Sequence, residues 1–524
     1  MIEISAANLC EYLESSARRW SDRIAVVDPD GSSLTYRELN DRADRVAGFL
    51  IARGLQPGDR VGLVQPKNIS GVCAIFGILK ARGVYVPVDS TAPPQRIRSI
   101  LDNCRVRAVF VDLRCADVAS GIETVVVTGT PAGPSQTLPQ DAVAWEKVLE
   151  SPPGGADPAS RHPDDIAYIL YTSGSTGIPK GVTLSQRNAL SFVDWCSSVF
   201  TPDEQDRFSS HAPFHFDLSI LDLYLPAKHG STLHLISEEL GKSPGKLASF
   251  IASKQLTVWY STPSVLSLLA EFGNLAQYDF SRLRTVLFAG EVFPVKHLRS
   301  ITRQWPSPTY FNLYGPTETN VCTYARIPTP IPDDRTQPYP IGWPCSHCAA
   351  LVVDDNRDPV PVGDEGLLYI AGPSVFVGYW GREEESAACC FERDGSRWYN
   401  TGDVVKQEAS DGFIYVGRRD RMVKRRGYRI ELGDIESALY RHSQIREAAV
   451  VAIPDADAGV KILAHVTTAD DARPSIVDLK VFCGKALPAY MSPDAFLFQD
   501  SLPRTSTGKV DYQKLVKTSL PSNR

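Results

Sequence analysis

The sequence predicts an α/β protein with a large N-terminal domain of parallel αβ sheets plus a small barrel-like sheet, followed by a small α+β C-terminal domain. Three observations predict this fold class. Short apolar strands alternate with helical patterns through most of the chain, which is typical of βαβ units. From about residue 345 the pattern changes to short strands and turns. A basic, turn-rich stretch at 417–436 then precedes a fresh helix and marks a domain boundary.

A length of 524 residues exceeds what one hydrophobic core supports, so at least two domains are expected. We predict an N-terminal domain of residues 1–419 and a C-terminal domain of residues 420–524. Hydrophobic periodicity predicts the early elements in order. These are helices over 8–20 and 36–54, a strand over 60–64, a helix over 71–82 and a strand over 84–88.

A loop rich in proline and glycine at 151–158 leads to a buried strand over 166–171. Ser185 is expected to cap a helix that ends near Phe200. The later part of the N-terminal domain contains strands over 366–371 and 412–416. These short strands are the predicted barrel-like sheet.

Composition excludes several classes of protein. Hydrophobic residues make up 43% of the chain and charged residues 22%, and the net charge is −6. These values describe an ordinary globular enzyme and disfavour a nucleic-acid binder. No apolar run approaches the roughly 18 residues that a membrane span needs. The acidic, amphipathic N-terminus is unlike a signal peptide, so we expect a cytoplasmic protein without a membrane partner.

The eleven cysteines are spread from Cys10 to Cys483, which is typical of reduced thiols in a cytosolic enzyme. Cys345 and Cys348 have the spacing of metal ligands, but no second Cys/His pair lies nearby in the sequence. Zinc is therefore not expected. The adjacent Cys389 and Cys390 are interpreted as helix-packing residues.

The segment at 166–182 combines a short buried strand with a loop of Gly, Ser and Thr that carries Lys180. Hydroxyls, glycine backbone amides and one lysine suit the oxyanions of a polyphosphate. The order of residues differs from a Walker A loop, because Ile178 and Pro179 precede the lysine and a glycine follows it. A surface loop of linker composition is the alternative.

Two further turns carry suitable chemistry. The strand at 311–314 ends in a Gly-Pro turn that presents Tyr314, Thr317 and Glu318. An aromatic face can stack on a purine, and a carboxylate can hold Mg²⁺; a structural turn with a capping Thr-Glu is the alternative. Asp403 could accept both ribose hydroxyls with Arg418 beside it, although an aspartate in a turn is usually only a turn former.

The string YTSGSTGIPKGV at 171–182 resembles, nearly letter for letter, the phosphate loop of the adenylate-forming enzymes. That family includes acyl-CoA synthetases, luciferases and the adenylation domains of nonribosomal peptide synthetases. The resemblance continues over nearly the whole chain, to the RTSTGK motif that ends at Lys509. It implies ATP contacts from Thr172, Ser173, Gly174, Ser175, Thr176, Gly177, Lys180, Gly290, Glu291, Asn312, Tyr314, Gly315, Thr317, Asp403 and Arg418.

The resemblance also implies roles for single residues. Glu318 would hold Mg²⁺, and Lys509 would clamp the substrate carboxylate and the α-phosphate. Together with Lys180 these are the implied catalytic residues. Asp420 would be the hinge of a mobile C-terminal domain, and Gly427 would lie against the pantetheine arm during thiolation. A solvated basic hinge explains the Arg/Lys cluster at 418–429 better than nucleic-acid binding does.

The substrate is indicated by Asp217, which stands in apolar surroundings where a carboxylate is costly to bury without a cation. A helix-capping aspartate is the alternative. By resemblance Asp217 pairs with the α-ammonium of an amino acid. The implied pocket consists of Asp217, Leu218, Leu221, Tyr260, Leu287, Ala289, Leu313, Val321, Cys322 and Lys509. Every side chain between its charged ends is apolar or weakly polar, so a small apolar amino acid is expected.

The same set of residues is similar to that of free-standing enzymes that load L-proline onto a carrier protein. We therefore expect formation of prolyl-AMP from Mg-ATP, then transfer to the phosphopantetheine thiol of a separate peptidyl carrier protein, in nonribosomal peptide or antibiotic biosynthesis. The chain shows no carrier motif of its own. Alternatives are a ligase for D-alanine or another small amino acid, coenzyme A as acceptor, and a non-catalytic nucleotide sensor.

Overall fold

The computed structural model describes residues 6–129, 141–172, 179–419, 421–455, 459–468, 474–504 and 510–520. The chain forms two compact units. The first contains Met1–Ser90, Ile97–Tyr171 and Gly181–Gly417, and the second contains Thr91–Arg96, Thr172–Lys180 and Arg418–Arg524. Several residues predicted to be functional lie outside the described residues. They are Ser173, Gly174, Ser175, Thr176, Gly177, Asp420 and Lys509.

The helices lie in both units and are numbered in chain order. They are α1 (Cys10–Arg19), α2 (Tyr36–Ala52), α3 (Ile69–Lys80), α4 (Pro94–Cys104), α5 (Trp145–Leu149), α6 (Gln186–Phe200), α7 (Ser219–His229), α8 (Glu238–Gly241), α9 (Pro244–Ser253), α10 (Pro263–Phe272), α11 (Val295–Gln304), α12 (Glu383–Ala388), α13 (Leu432–Leu439), α14 (Ile476–Ala486) and α15 (Tyr512–Ser519). Short 3₁₀ segments occur at Leu113–Ala119, Pro158–Ser160, Leu275–Gln277 and Ala489–Met491.

The strands are numbered in the same way. Those of the first part of the chain are β1 (Ile24–Val27), β2 (Ser33–Thr35), β3 (Arg60–Val64), β4 (Val84–Pro87), β5 (Ala108–Asp112), β6 (Thr124–Thr128), β7 (Val143–Ala144), β8 (Ile166–Thr172), β9 (Lys180–Ser185), β10 (Arg207–Ser210), β11 (Thr232–Leu235), β12 (Val258–Ser261), β13 (Thr285–Ala289), β14 (Thr309–Tyr314), β15 (Thr323–Ile327) and β16 (Trp343–Pro344). The remaining strands are β17 (Ala349–Val353), β18 (Glu365–Ala371), β19 (Gly378–Tyr379), β20 (Cys390–Arg393), β21 (Ser396–Glu408), β22 (Gly412–Arg418), β23 (Met422–Arg425), β24 (Tyr428–Glu431), β25 (Ile445–Asp455), β26 (Gly459–Thr468) and β27 (Ala495–Phe498).

Two large sheets organise the first unit. One has nine strands in the order β16-β15-β14-β13-β12-β10-β11-β1-β2, and the other has eight in the order β19-β9-β8-β4-β3-β5-β6-β7. Within the nine-stranded sheet, the central strands pair in parallel; they are β14, β13, β12, β10, β11 and β1. Strands β2, β15 and β16 pair antiparallel at its edges. The predicted parallel α/β architecture is thereby confirmed.

The main core lies where helices pack between these sheets. One buried cluster contains side chains from both sheets and from helices such as α2, α3, α6 and α7. Every residue of α3 except Ser70 is buried, so this helix is covered on all sides. A helix that is apolar around its whole circumference needs this kind of enclosure. A second cluster joins the nine-stranded sheet to α9, α10 and α11.

Local signals explain where the predicted elements begin. The hydroxyl of Thr35 accepts a hydrogen bond from the Glu38 backbone, and the Glu38 carboxylate accepts one from the Thr35 backbone at 2.8 Å. This capping box starts α2. Ser185 caps α6 in the same reciprocal manner with Asn188, as predicted for this position. The strand predicted over 60–64 coincides with β3.

A five-stranded sheet follows in the place of the expected barrel-like sheet. Its order is β17-β18-β21-β20, with β22 paired to β21. The strands predicted over 366–371 and 412–416 are β18 and β22. A small core of Leu368, Ile370, Val405 and Phe413 packs on one face of this sheet.

The second unit is the expected α+β fold. Strands β25, β26 and β27 form its three-stranded sheet, and the alternation of side chains along β25 buries residues on both faces. Val450 packs with residues of α13 and α14 on one face, and Val451 packs with Leu515 of α15 on the other. The sheet is therefore covered by helices on both sides.

Candidate active site

The predicted pocket wall lies on three neighbouring parallel strands of the nine-stranded sheet. Tyr260 of β12 pairs in register with Leu287 of β13, and Ala289 of β13 pairs with Leu313 of β14. Because side chains alternate along a strand, these four residues lie on the same face. Each is at most 5% exposed. The sheet thus places the four predicted side chains beside one another near the carboxyl ends of their strands.

The rest of the apolar wall comes from α7 and the loop after β14. Leu218 precedes α7, Leu221 lies within it, and Val321 lies in the loop. All three are buried in the same hydrophobic cluster as the strand residues. Cys322 is different, because it packs with Tyr314 in the neighbouring cluster of the five-stranded sheet. The seven apolar residues predicted for the wall therefore share one cluster, whereas Cys322 belongs to the neighbouring cluster.

Asp217 is the acidic residue beside this wall. It is partly buried, and its Oδ2 accepts a hydrogen bond from the Thr317 hydroxyl at 2.9 Å. Leu218 occupies the N-cap position of α7 and no side chain caps that helix, so the capping role considered for Asp217 is not realised. The hydrogen bond joins a residue predicted for substrate binding to one predicted for ATP binding.

Burial and the negative charge of Asp217 raise the pKa of two tyrosines. Burial, and then the neighbouring Tyr85 and Asp217, raise the pKa of Tyr168 well above its usual value. Burial, and then Asp217, raise the pKa of Tyr260 in the same direction. Both phenols are therefore protonated at neutral pH. The Tyr168 hydroxyl, a residue that sequence reasoning missed, has no hydrogen-bond partner in the described part of the chain.

The loop between β14 and β15 carries Glu318. This side chain is fully buried, and its Oε1 accepts a hydrogen bond from the hydroxyl of Tyr379 at 2.7 Å. The loop needs a glycine at Gly315, because a Cβ there would lie 1.6 Å from the carbonyl oxygen of Asn320. The predicted strand and Gly-Pro turn are confirmed, and no helix follows the turn for Thr317 and Glu318 to cap.

Tyr314 and Asp403 also meet. The Tyr314 hydroxyl donates to Oδ2 of Asp403, and both side chains are buried. Burial and the Asp403 carboxylate raise the pKa of Tyr314 well above its usual value, so this phenol remains the donor. The backbone N–H of Asp403 donates to the Thr401 hydroxyl at 3.1 Å. Asp403 is thus fixed by contacts on both its backbone and its side chain.

The remaining predicted nucleotide contacts of the first unit follow β13 and line β14. Gly290 has φ +95°, a backbone conformation that favours glycine. Glu291 accepts hydrogen bonds from the backbone N–H of Ser264, at 3.1 Å, and from its hydroxyl. The Asn312 amide donates to the Pro340 carbonyl at 2.8 Å.

Thr172 and Lys180 bracket the predicted phosphate loop, as the last residue of β8 and the first of β9. The Thr172 hydroxyl oxygen is buried and has no hydrogen-bond partner within the described residues. A phosphate oxygen would satisfy an atom of this kind. Lys180 is partly exposed.

In the second unit, Gly427 lies in a two-residue turn between β23 and β24. Arg426 and Gly427 both have positive φ, 52° and 81°, and Arg425 pairs with Tyr428 across the turn. These are the features of a type I′ hairpin. Arg418, predicted to contact ATP, is the last residue of β22.

Much of the basic cluster around this hairpin is neutralised. Arg421 forms a bidentate ion pair with Glu436, with distances of 2.6 and 3.1 Å, and its guanidinium stacks on Tyr512 at 3.5 Å. Arg425 pairs with Asp494 at 2.5 Å. These contacts tie Arg421 and Arg425 into the unit, whereas Arg419 and Arg426 of the same cluster are exposed.

The arrangement combines an apolar wall, the carboxylate of Asp217 beside it, and buried carboxylates that accept hydrogen bonds from hydroxyl groups. A family model for AMP-binding enzymes matches residues 13–380, and one for the C-terminal domain of AMP-binding enzymes matches residues 434–509. The chain belongs to the AMP-binding enzymes. This membership confirms the predicted family and the use of ATP.

Relatives within the AMP-binding enzymes cover nearly the whole chain. An L-proline--[L-prolyl-carrier protein] ligase of Pseudomonas fluorescens is 37% identical, over 96% of this chain and 97% of its own length. A protein of the same name from Streptomyces coelicolor is 38% identical, over 94% and 93%. The solved structure of NpsA-ThdA, an artificially fused adenylation-PCP di-domain from Klebsiella oxytoca, is 23% identical with a TM-score of 0.79 over 94% of this chain and 93% of its own. The last comparison shows the shared fold.

In the described part of the chain, no helix has both the length and the apolar character needed to cross a membrane.

Proposed function

We propose that this AMP-binding enzyme activates L-proline as prolyl-AMP, with release of pyrophosphate from Mg-ATP. It then transfers the prolyl group to the phosphopantetheine thiol of a separate carrier protein, in the cytoplasm. The observation that carries the proposal is Asp217, a carboxylate held by Thr317 beside an apolar wall. Two relatives named as L-proline--[L-prolyl-carrier protein] ligases support the choice of substrate and acceptor.

The wall and Asp217 would select the amino acid together. The secondary ammonium of proline has two N–H donors for the carboxylate, and its ring is compact and apolar. A polar or longer side chain would meet Tyr260, Leu287 and Leu313, which are at most 2% exposed. Such a wall separates aliphatic neighbours by only about 1–3 kcal/mol, so small analogues of proline are expected to react weakly.

Four fixed groups support the nucleotide site. Asp403 would accept the ribose hydroxyls, and its second contact with Tyr314 keeps the carboxylate in place. The buried hydroxyl of Thr172 and the ammonium of Lys180 would meet phosphate oxygens. Glu318 fits a Mg²⁺ site, because Mg²⁺ is usually bound by one or two carboxylates together with substrate phosphates. When bound, the ion neutralises phosphate charge.

The chemistry requires two anions to approach each other. As the proline carboxylate attacks the α-phosphorus, charge builds on the phosphate oxygens and on the departing pyrophosphate. We propose that the ammonium group of Lys180 stabilises this charge. The resemblance of its motif implies that Lys509 binds the proline carboxylate and the α-phosphate. The thiol then attacks prolyl-AMP, with Asp420 as the hinge and the Gly427 hairpin beside the incoming arm.

The test is exchange of labelled pyrophosphate into ATP, measured across the standard amino acids with D-proline and D-alanine added. A maximum at L-proline is the expected result. A maximum at D-alanine or at another small amino acid would overturn the substrate, and exchange with no acid would favour the nucleotide sensor. Thioester formation with carrier protein but not with coenzyme A is expected in the second half-reaction.

The role of Asp217 can be tested with Asp217→Asn. Loss of a charge-assisted hydrogen bond of about 1.5–3 kcal/mol should lower kcat/KM for L-proline roughly 10- to 150-fold. For cyclopentanecarboxylic acid, which lacks the ammonium group, the same substitution should change kcat/KM little. Asp164→Asn is the control, because Asp164 is exposed and pairs with Arg187. An equal loss for both acids would argue against an ammonium contact.

A further inference from the structure

Cys389 and Cys390 are adjacent in the chain, and their sulfur atoms lie 3.9 Å apart. Neighbouring side chains of a strand would point to opposite faces. Here Cys389 is the C-cap residue of α12 with αR geometry, whereas Cys390 begins β20. The change from helix to strand between them turns both thiols toward each other.

Both thiols are reachable and one is activated. Each residue is only partly buried. The hydrogen bond from Cys389 lowers the pKa of Cys390, and Arg397 lowers it further against the opposing effect of burial. By contrast, burial raises the pKa of Cys115 and of Cys348, the other two partly exposed cysteines. A Cys390 thiol with a lowered pKa and a second thiol beside it form a nucleophilic pair.

The distance between the two sulfur atoms indicates which central atom the pair can bind. Two sulfurs bound about 2.3 Å from one centre, at angles of roughly 90–110°, lie about 3.3–3.8 Å apart. The observed 3.9 Å is within a small movement of that span. A disulfide, with its sulfurs about 2.05 Å apart, would form only by a two-electron oxidation, which binding of a trivalent centre does not need. The described residues contain no group of three or more metal-ligating side chains, so the site offers two sulfurs.

We propose that Cys389 and Cys390 form a two-sulfur site for a trivalent arsenical. We further propose, resting on the function proposed above in which Glu318 holds Mg²⁺, that occupancy of this site weakens Mg²⁺-dependent ATP binding. In the reaction with R–As(OH)₂, two As–S bonds form while two As–O and two S–H bonds break. Both hydroxyls leave as water with the thiol protons, and the arsenic stays trivalent. No oxidant or reductant is needed.

A short series of contacts joins the pair to Glu318. The Cys389 thiol donates to the Ser386 carbonyl at 3.4 Å. The Ser386 hydroxyl accepts from the backbone N–H of Tyr379 at 2.8 Å, and the Tyr379 hydroxyl donates to Glu318 at 2.7 Å. An adduct must take the Cys389 sulfur out of its contact with the end of α12. The backbone of Tyr379, and with it the donor to Glu318, would then shift.

The first experiment is intact-mass spectrometry after treatment with phenylarsine oxide. The expected result is one phenylarsenic adduct per chain that survives a monothiol and is removed by 2,3-dimercaptopropanol. Neither Cys389→Ser nor Cys390→Ser should retain it, whereas Cys115→Ser and Cys348→Ser should. No monothiol-resistant adduct on the wild type, or an adduct that persists in Cys389→Ser, would overturn the site.

The link to Glu318 is tested by calorimetric titration of ATP in the presence of Mg²⁺, which needs no turnover. Disturbing a group that orients a metal ligand typically costs about 10- to 100-fold in affinity, and a loss of that size is expected for the adduct. The two serine variants should bind ATP equally well with and without the arsenical. A wild-type adduct that binds ATP like the untreated protein would overturn the link.

Discussion

At the scale of single residues, the acidic groups of the candidate site share one kind of hydrogen bond. Each accepts a hydrogen bond from a hydroxyl that is distant in sequence. The pairs are Asp217 with Thr317, Glu318 with Tyr379, Asp403 with Tyr314, and Glu291 with Ser264. Carboxylates held in this way need little reorganisation when a ligand arrives, which is the condition for strong electrostatic stabilisation.

Replacement of Tyr379 by Phe tests whether such a hydrogen bond orients the carboxylate. The change removes the hydroxyl that donates to Glu318 and keeps the aromatic ring. Because such outer partners of metal ligands typically contribute 10- to 100-fold, the Mg²⁺ concentration for half-maximal exchange should rise by about that factor. The KM for L-proline should stay nearly constant. Pyrophosphate exchange measured across a Mg²⁺ titration gives the Mg²⁺ requirement, and the same assay across an L-proline titration gives the KM.

Tyr339→Phe is the matched control for this variant, since the Tyr339 ring lies against the Arg335 guanidinium at 3.9 Å and not against an acidic site residue. An unchanged Mg²⁺ requirement in Tyr379→Phe would show that the hydroxyl does not orient the carboxylate.

Motifs in the sequence predicted the acidic residues. They marked the donors Thr317 and Tyr314 only as ATP contacts, and they did not mark Tyr379 or Ser264. Glu318 and Asp403 each stand in a turn motif that resembles the family. Tyr379 has no such signal, because it lies 61 residues beyond Glu318 and meets it only after β19 has joined the eight-stranded sheet. The packing of Cys322 with Tyr314 was equally hidden, since it depends on how the loop after β14 turns back.

At the scale of elements, prediction succeeded where a local rule decides the outcome. The reciprocal hydrogen bonds of Thr35 and Glu38 start α2, and Ser185 starts α6. The division of the parallel strands into two sheets could not be predicted. Both sheets draw on short runs of the same β-branched residues, and the partner of each strand is decided by packing across the whole unit.

The type I′ hairpin at 425–428 provides a prediction at this scale. Gly427→Ala places a Cβ on a residue with φ +81°, a conformation that costs a non-glycine residue about 1–2 kcal/mol. Thioester formation with carrier protein should fall, whereas L-proline-dependent pyrophosphate exchange should remain. Comparison of the two half-reactions in one preparation measures the difference.

Gly484→Ala serves as the control within the same unit. A Cβ at Gly484 of α14 would meet nothing within 4 Å, so this change should leave both half-reactions intact. Equal loss of both half-reactions in Gly427→Ala would indicate a general folding defect instead of a role in thiolation.

At the scale of the whole molecule, buried histidines connect stability to pH. Burial is the largest cause that lowers the pKa of His211 and His234 to about 3 and of His229 and His347 to about 4. The unfolded chain binds these protons near pH 6.5, whereas the folded chain resists them until about pH 3–4. The unfolded state therefore binds more protons in this window, and stability falls as the pH drops from 6.5 toward 4.

Each of these histidines should contribute about 1.4 kcal/mol per pH unit inside the window. Urea unfolding at pH 7.5 and pH 5.0 should show a marked loss of stability at the lower pH. His347→Phe, which keeps a ring against Trp195, should reduce that loss, while His162→Gln at an exposed position should not. An identical pH dependence in His347→Phe would contradict the assignment.

The register of β12, β13 and β14 also bears on how such enzymes acquire new substrates. The wall positions 260, 287, 289 and 313 are carried by hydrogen-bonded strands that lie about 4.8 Å apart, so their backbone positions do not depend on the identity of any one side chain. Exchange of one of these side chains can then change the apolar wall while its neighbours stay in place. From the substrate role proposed for this wall, we expect single substitutions at these positions to change the substrate range.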